Sequence, residues 1–135
     1  RYSNITIIQQ DQNMNKILIV EDNELNMKLF RDLLSLQACK IITSNKGEGV
    51  IELVLEHMPN LILMDIQLGD MSGIDLIQQL KRIPETALIP IISITAFAMK
   101  QDEIKITKCG CDLYLSKPVA IDSFFAAVRK FLPTY

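Results

Sequence analysis

The sequence predicts an α/β domain: a doubly wound, five-stranded parallel sheet in the order 2-1-3-4-5, covered by five helices. Three observations carry this. Five short apolar runs alternate with five longer stretches of helical period, the pattern of parallel strands joined by right-handed crossovers. The runs at 16–20 (KILIV), 61–65 (LILMD) and 90–94 (PIISI) are almost continuously apolar, as strands covered on both faces are. Those at 40–44 (KIITS) and 113–115 (LYL) are shorter or more polar, as edge strands are. Finally, 135 residues at 49% hydrophobic and 22% charged suit one domain with a substantial core.

The chain opens with RYSNITIIQQDQN. Arg1 is the only basic residue there, and Ile5–Ile8 is too short for the apolar centre of a signal peptide. Residues 1–13 therefore read as a flexible N-terminal extension or an added, non-native remnant, and 14–133 as the domain, with Met14 as its start. The strand at 16–20 leads to a helix over 24–36. Asp22 or Asn23 supplies its cap, and Leu25, Leu29, Leu33 and Leu36 form its apolar stripe. After the strand at 40–44, a helix over 47–57 carries Val50, Leu53 and Val54 and stops before Pro59. The strand at 61–65 precedes a helix over 72–82, capped by Ser72 and faced by Ile74, Ile77 and Leu80. The strand at 90–94 precedes a helix over 99–109, ended by Gly110. Ile104 and Ile106 stand about 200° apart on it, so only one faces the core; Ile104 is assigned inward and Ile106 outward. The strand at 113–115 precedes a helix over 120–132, started by Asp122 or Ser123 and faced by Phe124, Val128 and Phe131.

Several functions are disfavoured. A formal net charge of −2 does not suit a nucleic-acid partner, and no apolar run approaches the roughly 20 residues that span a bilayer. Cys39, Cys109 and Cys111 are odd in number, and Cys-x-Cys without other cysteine or histidine nearby is not a zinc pattern. They read as reduced, mostly buried thiols of a cytoplasmic protein. His57, the only histidine, falls at a helix end beside Pro59 and reads as a surface residue. The six methionines read as core filler.

The chemistry lies at the strand ends. In this flavodoxin-like order, ligands bind beyond the carboxyl ends of the strands, where the order reverses between strands one and three. Strand one ends in Glu21-Asp22, strand three in Asp65 and strand four in Thr95, and strand five is followed by Lys117-Pro118. Three carboxylates this close would repel one another and raise a pKa. A hard divalent cation, Mg2+ (or Mn2+), removes that conflict, because it takes carboxylate oxygens, waters and a phosphoryl oxygen as ligands. With Lys117 it balances the three acids, and the site can then receive a phosphoryl group. Singly, Asp22 reads as a helix cap, Thr95 as a strand former and Lys117 as a solvated lysine. Their convergence on one sheet edge is what carries the reading.

The strings ILIVEDN, LILMDIQL, ISITAFA and LYLSKP resemble the motifs of response-regulator receiver domains, the CheY-like family, over about residues 15–132. ILIVEDNELNMKLF and TAFAMK add a likeness to single-domain members that act in cell-cycle control. The resemblance implies that Asp65 accepts a phosphoryl group from a phosphohistidine, on a sensor histidine kinase or a histidine phosphotransfer protein. It implies Mg2+ held by Asp22, Asp65 and the backbone carbonyl of Gln67, with Glu21 acting through water. Thr95 and Lys117 then contact the phosphoryl group, and the Lys117–Pro118 bond is cis. Tyr114 becomes the switch aromatic. Helix four, strand five and helix five form an output face, with Ile106 and Tyr114 on it, for downstream regulatory proteins. Gln67 and Phe97 tune the phosphate lifetime. Glu21 stands where aspartate is commoner, and Gly69 stands where proline is usual, which loosens the loop; Asp70 is then solvated. The expectation is a monomeric, cytoplasmic phosphoacceptor, not an enzyme beyond its own phosphorylation and dephosphorylation, with no nucleic-acid or membrane partner. The alternative is a Mg2+-dependent phosphohydrolase of the haloacid-dehalogenase-like kind. That kind wants a second aspartate where Gln67 stands, and a cap domain for which the chain has no room. A third reading, an adaptor that is never phosphorylated, is disfavoured by the complete acidic pair and Lys117.

Overall fold

The computed structural model describes residues 14–96 and 100–132; the extension over 1–13 and Phe97 lie outside the described residues. Strands β1 (Asn15–Val20), β2 (Cys39–Ser44), β3 (Leu61–Asp65), β4 (Ile91–Thr95) and β5 (Leu113–Ser116) alternate with five helices. These are α1 (Glu24–Ser35), α2 (Val50–His57), α3 (Gly73–Arg82), α4 (Lys100–Lys108) and α5 (Ile121–Phe131). The sheet order is β2-β1-β3-β4-β5, all parallel, as the alternation predicts. None of the described helices is long and apolar enough to cross a membrane.

The apolar runs become the central strands because both of their faces are covered. Every residue of β3 and of β4 is buried. Alternate side chains feed opposite layers. Leu18, Val20, Ile62, Met64 and Ile91 meet Val54 of α2, Leu76 and Ile77 of α3, and Ile106 of α4. Ile17, Ile19, Leu61, Leu63 and Ile92 meet Phe30 and Leu34 of α1 and Phe124 and Val128 of α5. The rings of Phe30 and Phe124 stack at 5.5 Å, tying α1 to α5 under the sheet.

Three helix assignments need correction. On α1 the leucine stripe does not face the core: Leu25 is 79% exposed, and Leu29 and Leu36 are exposed too. Phe30 and Leu34 are buried instead, with Met27 and Leu33 packed beside them. A residue repeated every fourth position drifts about 40° per step around a 3.6-residue helix, whereas spacings of three and four hold one face. The cap of α1 is Asn23, whose side chain accepts from the Asn26 N–H at 3.0 Å. On α5, Ala120 occupies the cap position without a side-chain bond, and Asp122 lies in the first turn.

On α4 the inward and outward isoleucines are exchanged. Ile106 is 1% exposed and sits in the core, while Ile104 is 52% exposed. Cys109, three residues after Ile106, sets the helical phase: a buried free thiol behaves as a small hydrophobe and extends the apolar face. Ile106→Ala should therefore cost about 2–5 kcal/mol in urea unfolding, whereas Ile104→Lys should stay within about 0.5 kcal/mol. Equal costs would contradict this phase.

The methionines divide: Met64 is core, but Met58 and Met71 are exposed. None of the three cysteines is joined in a disulfide, and only Cys109 is fully buried.

Candidate functional site

The parallel register brings four strand ends level. Val20 pairs with Met64, Asp65 with Ile94, and Thr95 with Ser116. The ladder continues one step past β1, where the Glu21 N–H donates to the Ser44 carbonyl at 3.0 Å. Glu21, Asp65 and Thr95 are thereby buried at the sheet edge, while Asp22 is exposed above them. On the far side, the Lys117 N–H donates to the Thr95 carbonyl at 2.7 Å, and the Lys117–Pro118 bond is cis. This turn sends the lysine side chain back across β4 toward β3.

Each oxygen of Asp65 has a donor. The Gln67 N–H donates to Oδ1 at 3.0 Å, and Lys117 Nζ donates to Oδ2 at 3.2 Å. Lys117 Nζ also lies 3.0 Å from Glu21 Oε1. That contact is an ion pair without hydrogen-bond geometry, so this buried oxygen has no hydrogen-bond donor. The other oxygen of Glu21 accepts from the Asn23 N–H at 3.1 Å. One oxygen from each of Glu21, Asp22 and Asp65 falls within 4.8 Å of the others.

The electrostatics follow from one lysine facing these acids. Burial, then the neighbouring Asp65 carboxyl, pushes Glu21 from its ordinary 4.5 up to about 7. Burial opposes the charge of Lys117, but Glu21 and Asp65 outweigh it and raise its pKa. The donor set fits a hard divalent cation: three carboxylates, one of them with an undonated buried oxygen, and a single lysine to balance them.

The raised Glu21 pKa makes a testable prediction. Its neutral form is the one the metal-free fold favours. The resulting stability is present below 4.5 and is lost as pH rises through about 7. In a chelator, the urea midpoint should fall between about pH 5 and about pH 8, and Mg2+ at about pH 8 should restore it. Glu21→Gln should flatten the profile. A wild-type profile that is already flat would rule out the conflict among the acids.

Glu21, Asp22, Asp65, Thr95 and Lys117 thus meet at one sheet edge. Gln67 stands just beyond Asp65, in an isolated antiparallel bridge with Ser72. Tyr114 is apart from this cluster, half-buried on β5, and its hydroxyl donates to Glu103 of α4. Ile106 is buried in the core, as described, and is not on an outer face. His57 falls toward the opposite end of the sheet, where its carbonyl accepts from Lys16 Nζ at the start of β1. Asp70 is not merely solvated: it accepts from the N–H groups of Gly47 and Glu48 at 2.8 and 2.9 Å, fastening the loop after β3 to the turn after β2. Those two donors hold its carboxyl below the ordinary range.

Three positions escaped the sequence reading: Asn23 as a donor to Glu21, Asp70 as a loop fastener, and Gly73. A Cβ on Gly73 would lie 2.2 Å from the Asp65 carbonyl oxygen. The only sequence signal for it was a glycine directly after the Ser72 cap.

Comparison with known proteins agrees with this geometry. Residues 17–129 match the sequence family described as "Response regulator receiver domain". The chain is 47% identical over 116 residues to the polar-differentiation response regulator DivK of Brucella anthropi, covering 86% of this chain and 94% of that protein. The receiver domain of a sensor histidine kinase from Pseudomonas aeruginosa, solved with a magnesium ion coordinated in its active site cleft, superposes with a TM-score of 0.82 at 22% identity. That match covers 89% of this chain and 98% of the other. The chemotaxis response regulator CheY4 of Vibrio cholerae gives 0.81 at 16% identity, covering 88% and 99%. At such identities these two structures establish the shared fold.

Proposed function

The chain belongs to the response regulator receiver domain family of two-component signalling, and from that premise we propose that it is a phosphorylation-controlled protein–protein switch whose phosphoacceptor is Asp65. The observation that carries this is the placement of Asp65: buried at the end of the central strand, 3.2 Å from Lys117 and within the acidic cluster. The donor is a phosphohistidine, on a sensor histidine kinase or a histidine phosphotransfer protein. A carboxylate oxygen of Asp65 attacks phosphorus, the P–O bond forms and the P–N bond to imidazole breaks. An acyl phosphate is left on Asp65, and a neutral imidazole leaves once it has a proton. The Gln67 N–H holds the second carboxylate oxygen, which fixes the attacking one. Lys117 moves from a carboxylate oxygen to a phosphoryl oxygen, and the Thr95 hydroxyl takes another. Asp22, Asp65 and the backbone carbonyl of Gln67, with Glu21 through water, would hold Mg2+ (or Mn2+), which neutralises the acids and the phosphoryl charge when bound.

The readout follows from the same residues. Drawing Thr95 inward opens space beside β5; Tyr114 leaves Glu103 and turns in. The surface of α4, β5 and α5, with exposed Ile104 in the place first given to Ile106, changes shape for a downstream regulatory protein. Gln67 and Phe97 slow attacking water and so tune the phosphate lifetime. The identity to a polar-differentiation regulator supports a place in cell-cycle or cell-division control; the reading further takes the chain to act in the cytoplasm as a monomer.

The test is incubation of the full chain with Mg2+ and acetyl phosphate. The expected product carries one phosphoryl group, stable in acid and lost in base, and a chelator prevents it. A beryllofluoride mimic should shift the Tyr114 ring resonances. No incorporation and no shift would overturn the switch.

A further inference from the structure

The sequence Cys109-Gly110-Cys111 closes the corner between α4 and β5, away from the acidic site. Gly110 has φ +101°, a left-handed conformation that side chains disfavour, and it turns the chain sharply between the two cysteines. The turn aims both thiols at one acceptor. Cys109 Sγ donates to the Ile106 carbonyl at 2.9 Å, and Cys111 Sγ donates to the same oxygen at 3.3 Å. Two sulfurs within hydrogen-bond reach of one oxygen are close neighbours, and neither is engaged in a disulfide. Among the described residues no third ligand completes a metal site here, and Oδ2 of the adjacent Asp112 is taken by Lys81 Nζ at 3.1 Å and the Ile91 N–H at 2.8 Å.

We propose that Cys109 and Cys111 form a modifiable dithiol, which a hydroperoxide converts to an intramolecular disulfide. Burial assigns the roles. Cys111 is half-buried and can be reached from solvent, while Cys109 lies fully buried beneath it as the resolving thiol. The surroundings favour Cys111 as the nucleophile. The neighbouring Cys109 thiol, and after it the Ser93 hydroxyl, favour its ionised form. Together they outweigh burial and Asp112 and bring the Cys111 thiol down to about 6. The same coupling, with burial, raises Cys109. A low-pKa, accessible thiol beside a resolving one is the arrangement that peroxides oxidise selectively.

The chemistry balances without a further reagent. The Cys111 thiolate attacks the terminal oxygen of the hydroperoxide. The O–O bond breaks, and the leaving alkoxide takes a proton to become an alcohol. Cys111 is left as a sulfenic acid. The sulfur of Cys109 then attacks the sulfur of Cys111 and loses its proton; the S–S bond forms and hydroxide leaves as water. The dithiol loses two electrons, which reduce the hydroperoxide to alcohol and water. The Ile106 carbonyl loses both S–H donors in the last turn of α4, the helix that carries Glu103 opposite Tyr114.

The test uses the full chain and hydrogen peroxide, followed by acid quench, alkylation, intact mass and peptide mapping. Wild type and Cys39→Ser should each lose two hydrogen atoms, with the bond mapped between Cys109 and Cys111 and reversed by dithiothreitol. Cys109→Ser should instead retain a sulfenic acid on Cys111 that dimedone captures. Cys111→Ser should react with peroxide at least about tenfold more slowly. A wild type that keeps all its hydrogens under peroxide that oxidises a free-cysteine control would overturn the proposal. So would a disulfide that includes Cys39 or links two chains. Because wild type and Cys39→Ser are read directly, the outcome does not depend on how the variants at the pair fold.

Discussion

Asp65→Asn should lower the initial rate of phosphoryl incorporation from acetyl phosphate by about 1000-fold or more, which is about 4 kcal/mol in the barrier. The substitution keeps the side chain's shape but removes its charge, and with it the ion pair to Lys117. The asparagine carbonyl still accepts from the Gln67 N–H, now at 3.0 Å from the aspartate. What it lacks is an anionic oxygen able to bond phosphorus. A second consequence has the opposite sign. Without the Asp65 carboxyl, the neighbour that most raises Glu21 after burial is gone. Glu21 should ionise at lower pH and pair with Lys117 across the 3.0 Å contact. The metal-free variant should thus be at least as stable as wild type at about pH 8, where wild type has lost the contribution of neutral Glu21. Loss of labelling together with retained or higher stability separates a chemical role from a structural one. Labelling that persists in Asp65→Asn would move the acceptor elsewhere.

The site was legible in the sequence because it is built by topology. Once the runs ending at Val20, Asp65 and Thr95 are read as adjacent parallel strands, the residues after them must share an edge. No side-chain detail is needed for that step. Helix phase is different, because it depends on which residues find partners in three dimensions. The leucines of α1 look like a stripe, yet Phe30 wins the core through its stack on Phe124, which is 94 positions further along the chain and invisible to local periodicity. On α4, a cysteine decided the phase, and counting only isoleucines gave the wrong face. Asp70 looked solvated because its two donors, Gly47 and Glu48, come from a turn more than twenty residues earlier.

Gly73→Ala should be the most damaging small substitution in the domain. On helix propensity alone, alanine in α3 would gain up to about 1 kcal/mol over glycine. Here a Cβ would lie 2.2 Å from the Asp65 carbonyl oxygen, 2.9 Å from Ile66 Cα and 3.1 Å from the Asp65 carbonyl carbon. All three atoms are backbone, so no flexible side chain can move aside. The contact exists because the chain folds back tightly after β3: Gln67 bridges Ser72, and the Gly73 N–H donates to the Ile66 carbonyl at 2.9 Å. Relief requires either α3 to shift away from the sheet or the end of β3 to move. A net loss of about 3 kcal/mol or more in urea unfolding is expected, at the upper end of overpacking costs. Any variant that still folds should also label more slowly with acetyl phosphate, because the displaced backbone is that of Asp65 itself. Gly69→Ala is the matched control. Its Cβ would meet Asp22 Oδ2 at 3.6 Å, an ordinary van der Waals distance, so its stability should change by less than about 0.5 kcal/mol. If the two alanines cost the same, the close approach behind Asp65 is not what the sheet edge depends on. If only Gly73→Ala is costly, the glycine is there for the acceptor: it lets the first turn of α3 sit directly against the strand end that holds the carboxylate in place.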